Sequence, residues 1–460
     1  MAGGEIISLS FGQLSNNIIT HLYNTQDSLI PYSKEQKDIL LHDLSTFLTR
    51  FKDPTSNGYN YSPNCLVYDL RNGLGSLSKY EYSEPKPNLS DYTMLNGQLP
   101  PKNEFQRQLD IGVSKGNLLN VPNTANWTDF GKLIYNKRSL HTIKNYTTYL
   151  QHYNIPNLKF DTFPKGVEEF KSNDKEIDDF RFFLEKCDKF QGLQILNELD
   201  NGWNGFSNEY ITMLKDEYFN NSNKLNIWNY SIITKENKNV RQKQNLIRSF
   251  VETWRSSSLF IPLNLDTHSD LLTSNFNFES NWHKSAIFAM FINSIWGINS
   301  QDKDQINMSG LQNLILSEEN ENRKIINDVK IKGIDIQADI VNYYDLPNYD
   351  IDLSLASGPS GFNFNQTFIN QDSTLVNPDI ENILQVDTFP TGILVNKKET
   401  KFNIEMNQSS SLRNWLKPYM KIIENSKENE IIDDKNELIE EICQIMNEYA
   451  TTEESDEDYE

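Results

Sequence analysis

Three short stretches of this chain carry residue types spaced for ligand chemistry. The first is "CDKFQGLQILNELDNGWNGFSNEYITMLKDEY", residues 187–218, which reads as helix end, strand, glycine-containing turn and helix. That layout aims backbone N–H groups and the positive end of a helix at an anion, which is how α/β folds cradle phosphate. Its turn, "DNGWNG", offers Gly202, Asn204 and Gly205 as phosphate contacts, but places Asp200 and Trp203 beside them. The second stretch is Gly12-Gln13, between the apolar strand "EIISLSF" and the helical "LSNNIITHLYN". It suits a nucleotide loop and equally a plain strand-to-helix turn. The third is Asp69 near the end of "CLVYDL". A carboxylate there can enter a magnesium shell or cap the following turn through its own side chain.

Other polar clusters carry less. Asp266, His268 and Asp270 fit a polar turn, and "GPSG" (residues 358–361) is too short for a phosphate loop and lacks its lysine. Cys65, Cys187 and Cys443 lie far apart, with no CxxC pair, and the six histidines form no HExxH. Disulfides and a zinc site are therefore not expected, and no catalytic residue is assigned.

The elements that must position these residues alternate in type. After the first strand and helix, Ser33 and Gln36 form a capping box for a helix striped by Leu40, Leu44, Phe47, Leu48 and Phe51. Residues 71–125 are polar, rich in Pro, Asn and Gly, and weakly periodic, which suggests a long excursion or a partly disordered insert. Residues 138–150 read as a helix. Ile177, Phe180, Phe183, Leu184, Cys187 and Phe190 make an amphipathic stripe in which Cys187 is a packing residue. A strand is expected at 191–199, a helix at 208–218, a strand at 225–232, and then a helix with Leu246, Ile247, Phe250, Val251 and Trp254 inward. Residues 282–296 form a helix buried on all sides, ended by Gly297. Strands alternating with helices predict an α/β fold with a mainly parallel sheet.

Beyond residue 300 the pattern changes. Residues 297–324 suggest a surface helix with loops. "VKIKGIDIQADIV" alternates but slips phase at Gly333, as one bulged strand would. "IDLSL" and "GILV" read as strands, and "NELIEEICQIMNEY" as an amphipathic helix. Residues 451–460 hold six acids and no base and are expected to be disordered. The implied organisation is an N-terminal segment over 1–120, a second unit over 121–300, a mixed strand and helix part over 301–450, and the acidic tail.

Net charge of −21 argues against nucleic-acid binding, which needs a basic surface, and suits protein partners. No apolar run approaches the roughly 20 residues of a membrane span. The first 30 residues contain no Lys or Arg, so no cleaved mitochondrial presequence is expected.

Taken in order, the motifs resemble tubulins. "EIISLSFGQLSNNI" is similar to the opening strand and the GQxGNQ loop. "YSPNCLVYDL" is similar to the strand whose terminal Asp faces the nucleotide. "CDKFQGLQILNEL" is similar to the run CDxxQGFQxxHSL, and Asn126-Trp127 to the Asn-Trp pair that precedes it. "YNTQD", "NWTDFGKLIYNKRSL" and the altered phosphate loop resemble one branch, the Misato family, and the Asn-rich composition fits a yeast member. The resemblance covers roughly residues 5–300.

The resemblance implies a tubulin/FtsZ-like nucleotide-binding fold, with Gly12, Gln13, Asp69, Gly202, Asn204 and Gly205 as a degenerate nucleotide site. It departs from tubulins in ways that weaken binding. Leu14 and Ser15 replace Cys and Gly, Arg71 stands where many tubulins carry an acid, and no GxxNxxD run precedes the 282–296 helix. Asp200 is expected to face the phosphates and Trp203 to fill their space, so that GTP is excluded. The implied role is non-enzymatic, in partitioning of mitochondria and inheritance of mitochondrial DNA, at the mitochondrial surface and in the cytoplasm. Tubulin, the cytosolic chaperonin or mitochondrial surface proteins are the implied partners. An active, polymerising GTPase and a nucleotide-free tubulin or chaperonin assembly factor stay open as alternatives.

Overall fold

The computed structural model describes residues 4–31, 42–52, 59–77, 100–151, 155–172, 177–219, 225–234, 239–265, 272–301, 305–316, 322–333, 337–341, 362–363, 386–394, 402–408 and 410–450. The expectations for Ser33, Gln36 and Leu40, for Asp266, His268 and Asp270, for "IDLSL" and "GPSG", and for residues 451–460 fall outside them.

In chain order the strands are β1 (Glu5–Phe11), β2 (Leu48–Lys52), β3 (Tyr59–Pro63), β4 (Cys65–Arg71), β5 (Leu140–Thr147), β6 (Phe190–Glu198), β7 (Asn226–Ile232), β8 (Leu259–Leu263), β9 (Asp328–Gly333), β10 (Gln337–Val341), β11 (Phe362–Asn363) and β12 (Phe402–Asn407). The helices are α1 (Gln13–Leu29), α2 (Glu104–Asp110), α3 (Phe163–Lys171), α4 (Ile177–Leu184), α5 (Gly202–Tyr218), α6 (Val240–Ser256), α7 (Asn281–Ser300), α8 (Met308–Ile315), α9 (Ser411–Glu424) and α10 (Lys435–Glu448).

A six-stranded sheet in the order β5-β4-β1-β6-β7-β8 organises the molecule, and every pair in it is parallel. Its central strands are buried on both faces, including polar side chains such as Ser8, Gln194 and Asn197. Alternation within them separates two cores. Ile6, Val67 and Leu196 face a core shared with α1 and α7, whereas Ile7, Leu9, Phe11, Leu66, Tyr68, Leu193 and Ile195 face one shared with α5. The helix α7 is buried along its whole length, and its Trp296 stacks on Phe47 with ring centroids 3.9 Å apart while its indole N–H donates to Gln194. A third core joins α6 to α9 and α10. The strands β10-β9-β12-β11 form a separate antiparallel sheet.

Five expectations need correction. Gly392–Leu394 of "GILV" form a turn with a single bridge from Leu394 to Leu272, not a strand. Residues 138–150 contain β5, the edge strand of the parallel sheet, not a helix. Phe51 and Leu48 lie in β2, paired with β3 as a hairpin, so their helical spacing is not used. The phase slip at Gly333 marks the end of one strand, since β9 and β10 pair antiparallel with each other. Gly297 does not end α7, which runs on to Ser300.

Asparagine abundance acquires a structural use. Asn103, Asn201, Asn239 and Asn307 each cap a helix by accepting a backbone N–H in its first turn, and Asn103 and Asn239 complete capping boxes with Gln106 and Gln242. Within the expected 71–125 insert, Asn103 and Asn120 thereby order α2 and a short turn.

Candidate functional site

The strands β4, β1 and β6 are neighbours, and their C-terminal ends lead to Asp69, Gly12 and the 199–202 turn respectively. Open α/β sheets place ligands at this edge, where the helices that follow the strands present their N-termini. The sequence-derived residues do converge at this edge. Their hydrogen bonds, however, go to other parts of the chain.

Gly12 caps α1 with φ at +98°, a conformation that side chains rarely adopt, and its N–H donates to the Tyr68 carbonyl at 3.2 Å. A Cβ on Gly12 would sit 2.7 Å from both the Glu198 carboxyl carbon and the Trp203 ring. Glu198 and Trp203 therefore cover the backbone that a nucleotide loop leaves open. At the start of α1, the Leu14 N–H donates to Glu198 Oε1 at 2.7 Å. The carboxylate of Glu198 takes the place at this helix N-terminus that an anion would take. Its other oxygen accepts from Asn201 Nδ2. Gln13 begins α1, and its backbone carbonyl accepts from Asn17 Nδ2 at 2.8 Å.

Burial pushes the Glu198 carboxyl up to about 7; hydrogen bonds from Leu14 and Asn201 oppose the shift, and nearby Asp200 and Asp69 add to it. No cation among the described residues is among the groups that act on it. Asp69 is also buried, and its carboxyl rises to about 6 for the same first reason. Asp69 Oδ2 accepts from Trp127 Nε1 at 2.9 Å and from Asn16 Nδ2 at 3.3 Å, and Oδ1 accepts from the Leu70 N–H at 2.7 Å. The 72–76 turn folds over this carboxyl, so closely that a Cβ on Gly73 would lie 2.3 Å from the Asp69 Cγ. Of the two roles open to Asp69, the geometry supplies turn capping, and it makes Asp69 the anchor of Trp127.

At α5 the expected phosphate loop is packed rather than open. The Gly202 N–H donates to the Phe160 carbonyl at 3.1 Å, and the Trp203 N–H donates to the Asn201 side chain at 2.9 Å. The helix α3 lies directly on this end of α5. A Cβ on Gly205 would be 2.0 Å from the Phe163 carbonyl oxygen, and one on Gly166 would be 1.8 Å from the Gly202 oxygen. The glycines of the turn thus serve close helix-to-helix approach. Asn204 is buried and turned to α6, where Nδ2 donates to Thr253 Oγ1 at 2.8 Å.

Two sequence expectations about closure change here. Asp200 does not face a phosphate position. It is buried and accepts from the Thr234 N–H at 3.2 Å and the Thr234 hydroxyl at 2.8 Å, just beyond β7. Trp203 does fill space, but as a core residue, edge-on to Phe160 at 5.0 Å and to Phe206 at 5.8 Å. The acid at the centre of the site is Glu198, which sequence reasoning missed. The signal was in the motif, because Glu198 stands where CDxxQGFQxxHSL has serine. Cys187 is likewise displaced from its expected helical stripe. It follows α4 in a turn, half-buried, with burial first among the causes that push its thiol up to about 12.

The helix N-termini at this edge are already engaged. The N–H groups of Leu14, Gly202 and Trp203 already have acceptors within the chain, and the surrounding titratable groups are acids. Among the described residues, no group of three or more His, Cys, Asp or Glu is placed to hold a metal ion, and no helix is long and apolar enough to cross a membrane.

The parallel sheet, the three converging strand ends and the buried α7 define a tubulin-like α/β protein. Residues 4–111 match the Misato Segment II tubulin-like domain, and residues 119–300 match a tubulin domain. The chain is 38% identical to Protein DML1 of Candida albicans, covering 99% of this chain and all of the relative. It is 38% identical to Protein DML1 of Debaryomyces hansenii and 34% identical to that of Scheffersomyces stipitis, each over 99% of this chain. The chain belongs to the Misato family of tubulin-like proteins, the family of the DML1 proteins.

Proposed function

We propose that this chain is a non-enzymatic tubulin-like protein that acts in partitioning of mitochondria and inheritance of mitochondrial DNA. It works through surfaces for other proteins and holds no GTP in doing so. The organelle role rests on membership of the family. The nucleotide-free mechanism rests on one observation: the Glu198 carboxylate accepts the α1 N-terminal N–H group that a phosphate would need. Its partners are proteins such as tubulin, the cytosolic chaperonin or proteins of the mitochondrial surface, and its place is that surface and the cytoplasm.

Denaturing the purified protein and analysing the released small molecules tests the mechanism. No guanine nucleotide at any stoichiometric level is expected, and titration with GTP and magnesium should give no saturable heat. One mole of GTP or GDP per mole of chain would revive the polymerising-GTPase reading. Depleting the protein tests the organelle role: mitochondrial DNA should then be lost unevenly between daughter cells, and normal segregation would refute it.

A further inference from the structure

Acids outnumber cations on this chain, and several cations near its C-terminal helices are paired with carboxylates, such as Arg248 with Glu252 and Arg255 with Glu437. One group departs from that pattern. Lys215, in the last turn of α5, donates from Nζ to the Ser256 carbonyl at 2.7 Å. Lys324 lies beside β8, with its carbonyl accepting from the Phe260 N–H, and its Nζ sits 5.2 Å from the centre of the Trp254 ring. The two amines feel each other's charge, and burial with this repulsion lowers Lys324 to about 8. Neither makes an ion pair with a described carboxylate. Adjacent Arg323 lies over the Tyr449 ring at 5.2 Å, and its buried Nε has no hydrogen-bond partner.

Half-buried cations that repel each other are a cost unless an anion approaches them. The described chain reaches this place at its far end. The Tyr449 hydroxyl accepts from the Ile325 N–H at 2.7 Å and donates to the Ile325 carbonyl at 2.8 Å, which fixes residue 449 one position from Lys324 in the facing segment. The ten residues after Ala450 carry six acids, Glu453, Glu454, Asp456, Glu457, Asp458 and Glu460, and no base. Ten residues extend to about 33 Å at most, more than enough to turn back over neighbouring side chains. Glu448, beside Tyr449 in the chain, accepts from Asn322 Nδ2 at 3.3 Å.

We propose that the cationic cluster of Lys215, Arg323 and Lys324 is a docking site for an acidic peptide, and that its occupant is the chain's own segment 451–460. The docked segment makes charge-assisted contacts to the two amines and the guanidinium, and an acidic partner must displace it to reach them. Because such contacts lie near the surface, salt weakens them.

Amine labelling read residue by residue by mass spectrometry tests this. Three proteins are compared at low and at 1 M salt: the full chain, a form lacking residues 451–460, and a full-length form with all six acids changed to the corresponding amides. At low salt, Lys215 and Lys324 should label at least threefold more slowly in the full chain than in either variant. Exposed Lys115 should label equally in all three, and 1 M salt should remove the difference. Equal rates in the three proteins overturn the proposal. Faster labelling on deletion but not on neutralisation would mean steric cover without charge recognition, and would also overturn it. Protection that grows with protein concentration would place the segment on a second copy and refute docking within one chain.

Discussion

The carboxylate of Glu198 and the backbone N–H of Leu14 meet at 2.7 Å, although 184 positions separate them in the chain. This bond ties the C-terminal end of β6 to the first turn of α1. It is also unusual in its electrostatics: a buried acid beside Asp200 and Asp69, with no cation among the described residues acting on it. The α1 N-terminus offsets only part of the cost of burying such a charge.

Glu198 should make stability depend on pH in a direction opposite to that of a paired carboxylate. Its folded value, about 7, lies above the ordinary 4.5. Between these limits the folded protein holds a proton that the unfolded chain has released, so stability falls as pH rises through the window and levels off above it. At about 1.4 kcal/mol per unit, the loss over the whole window is on the order of 3–4 kcal/mol. Glu198→Gln should remove it. Melting temperatures from pH 5 to 8 should show the variant gaining on the parent as pH rises; Asp69, common to both proteins, cancels. A constant difference across that range would count against a buried, uncompensated Glu198.

Gly205 gives a second test, because its two roles differ in when they matter. If it exists to admit phosphate, Gly205→Ala leaves the nucleotide-free protein unharmed. If it exists to admit α3, the added Cβ collides with the Phe163 carbonyl, which would lie only 2.0 Å away. Backbone must then move, at a cost of roughly 1–3 kcal/mol or more. Denaturant unfolding without added nucleotide should show that loss, and Gly166→Ala should behave alike from the other side of the same contact. Unchanged stability in both would detach the glycines from helix packing.

The sequence announced the frame of this site because its signals are local. Apolar runs that stop at Gly12, Asp69 and the 200–205 turn mark strand ends, and in a parallel sheet strand ends converge. Side-chain direction at the turn was not local. Asp200 sits next to the glycines, yet its partner Thr234 comes from the end of another strand. Residue spacing misled at β5 as well. Leu140 and Ile143 are three apart and suggest a helical face, but β5 is an edge strand, and most of its residues lie at or near the surface. Edge position is a property of the whole sheet. The same holds for Leu48 and Phe51, whose helical spacing is overridden by pairing of β2 with β3, while Leu44 and Phe47 lie in and at the end of a short turn before it.

The last prediction concerns reopening the site. From the sequence, Asp200→Gly with Trp203→Thr should restore GTP binding by removing a repelling charge and a bulky ring. The structure gives these side chains other work. Asp200 holds the Thr234 backbone and hydroxyl, and Trp203 packs among Phe160 and Phe206. Loss of a core tryptophan to a small residue costs about 3–5 kcal/mol, and an orphaned Thr234 N–H adds about 1–3 kcal/mol if it stays buried. Meanwhile Glu198 still occupies the Leu14 N–H, and Phe160 still occupies that of Gly202. The double variant should therefore unfold at lower denaturant and still give no saturable heat with GTP and magnesium. Adding Glu198→Gly is the informative step, since it vacates the α1 N-terminus and removes the charge closest to Gly12. GTP affinity recovered in the Asp200 and Trp203 variant alone would show that those residues, not Glu198, close the site.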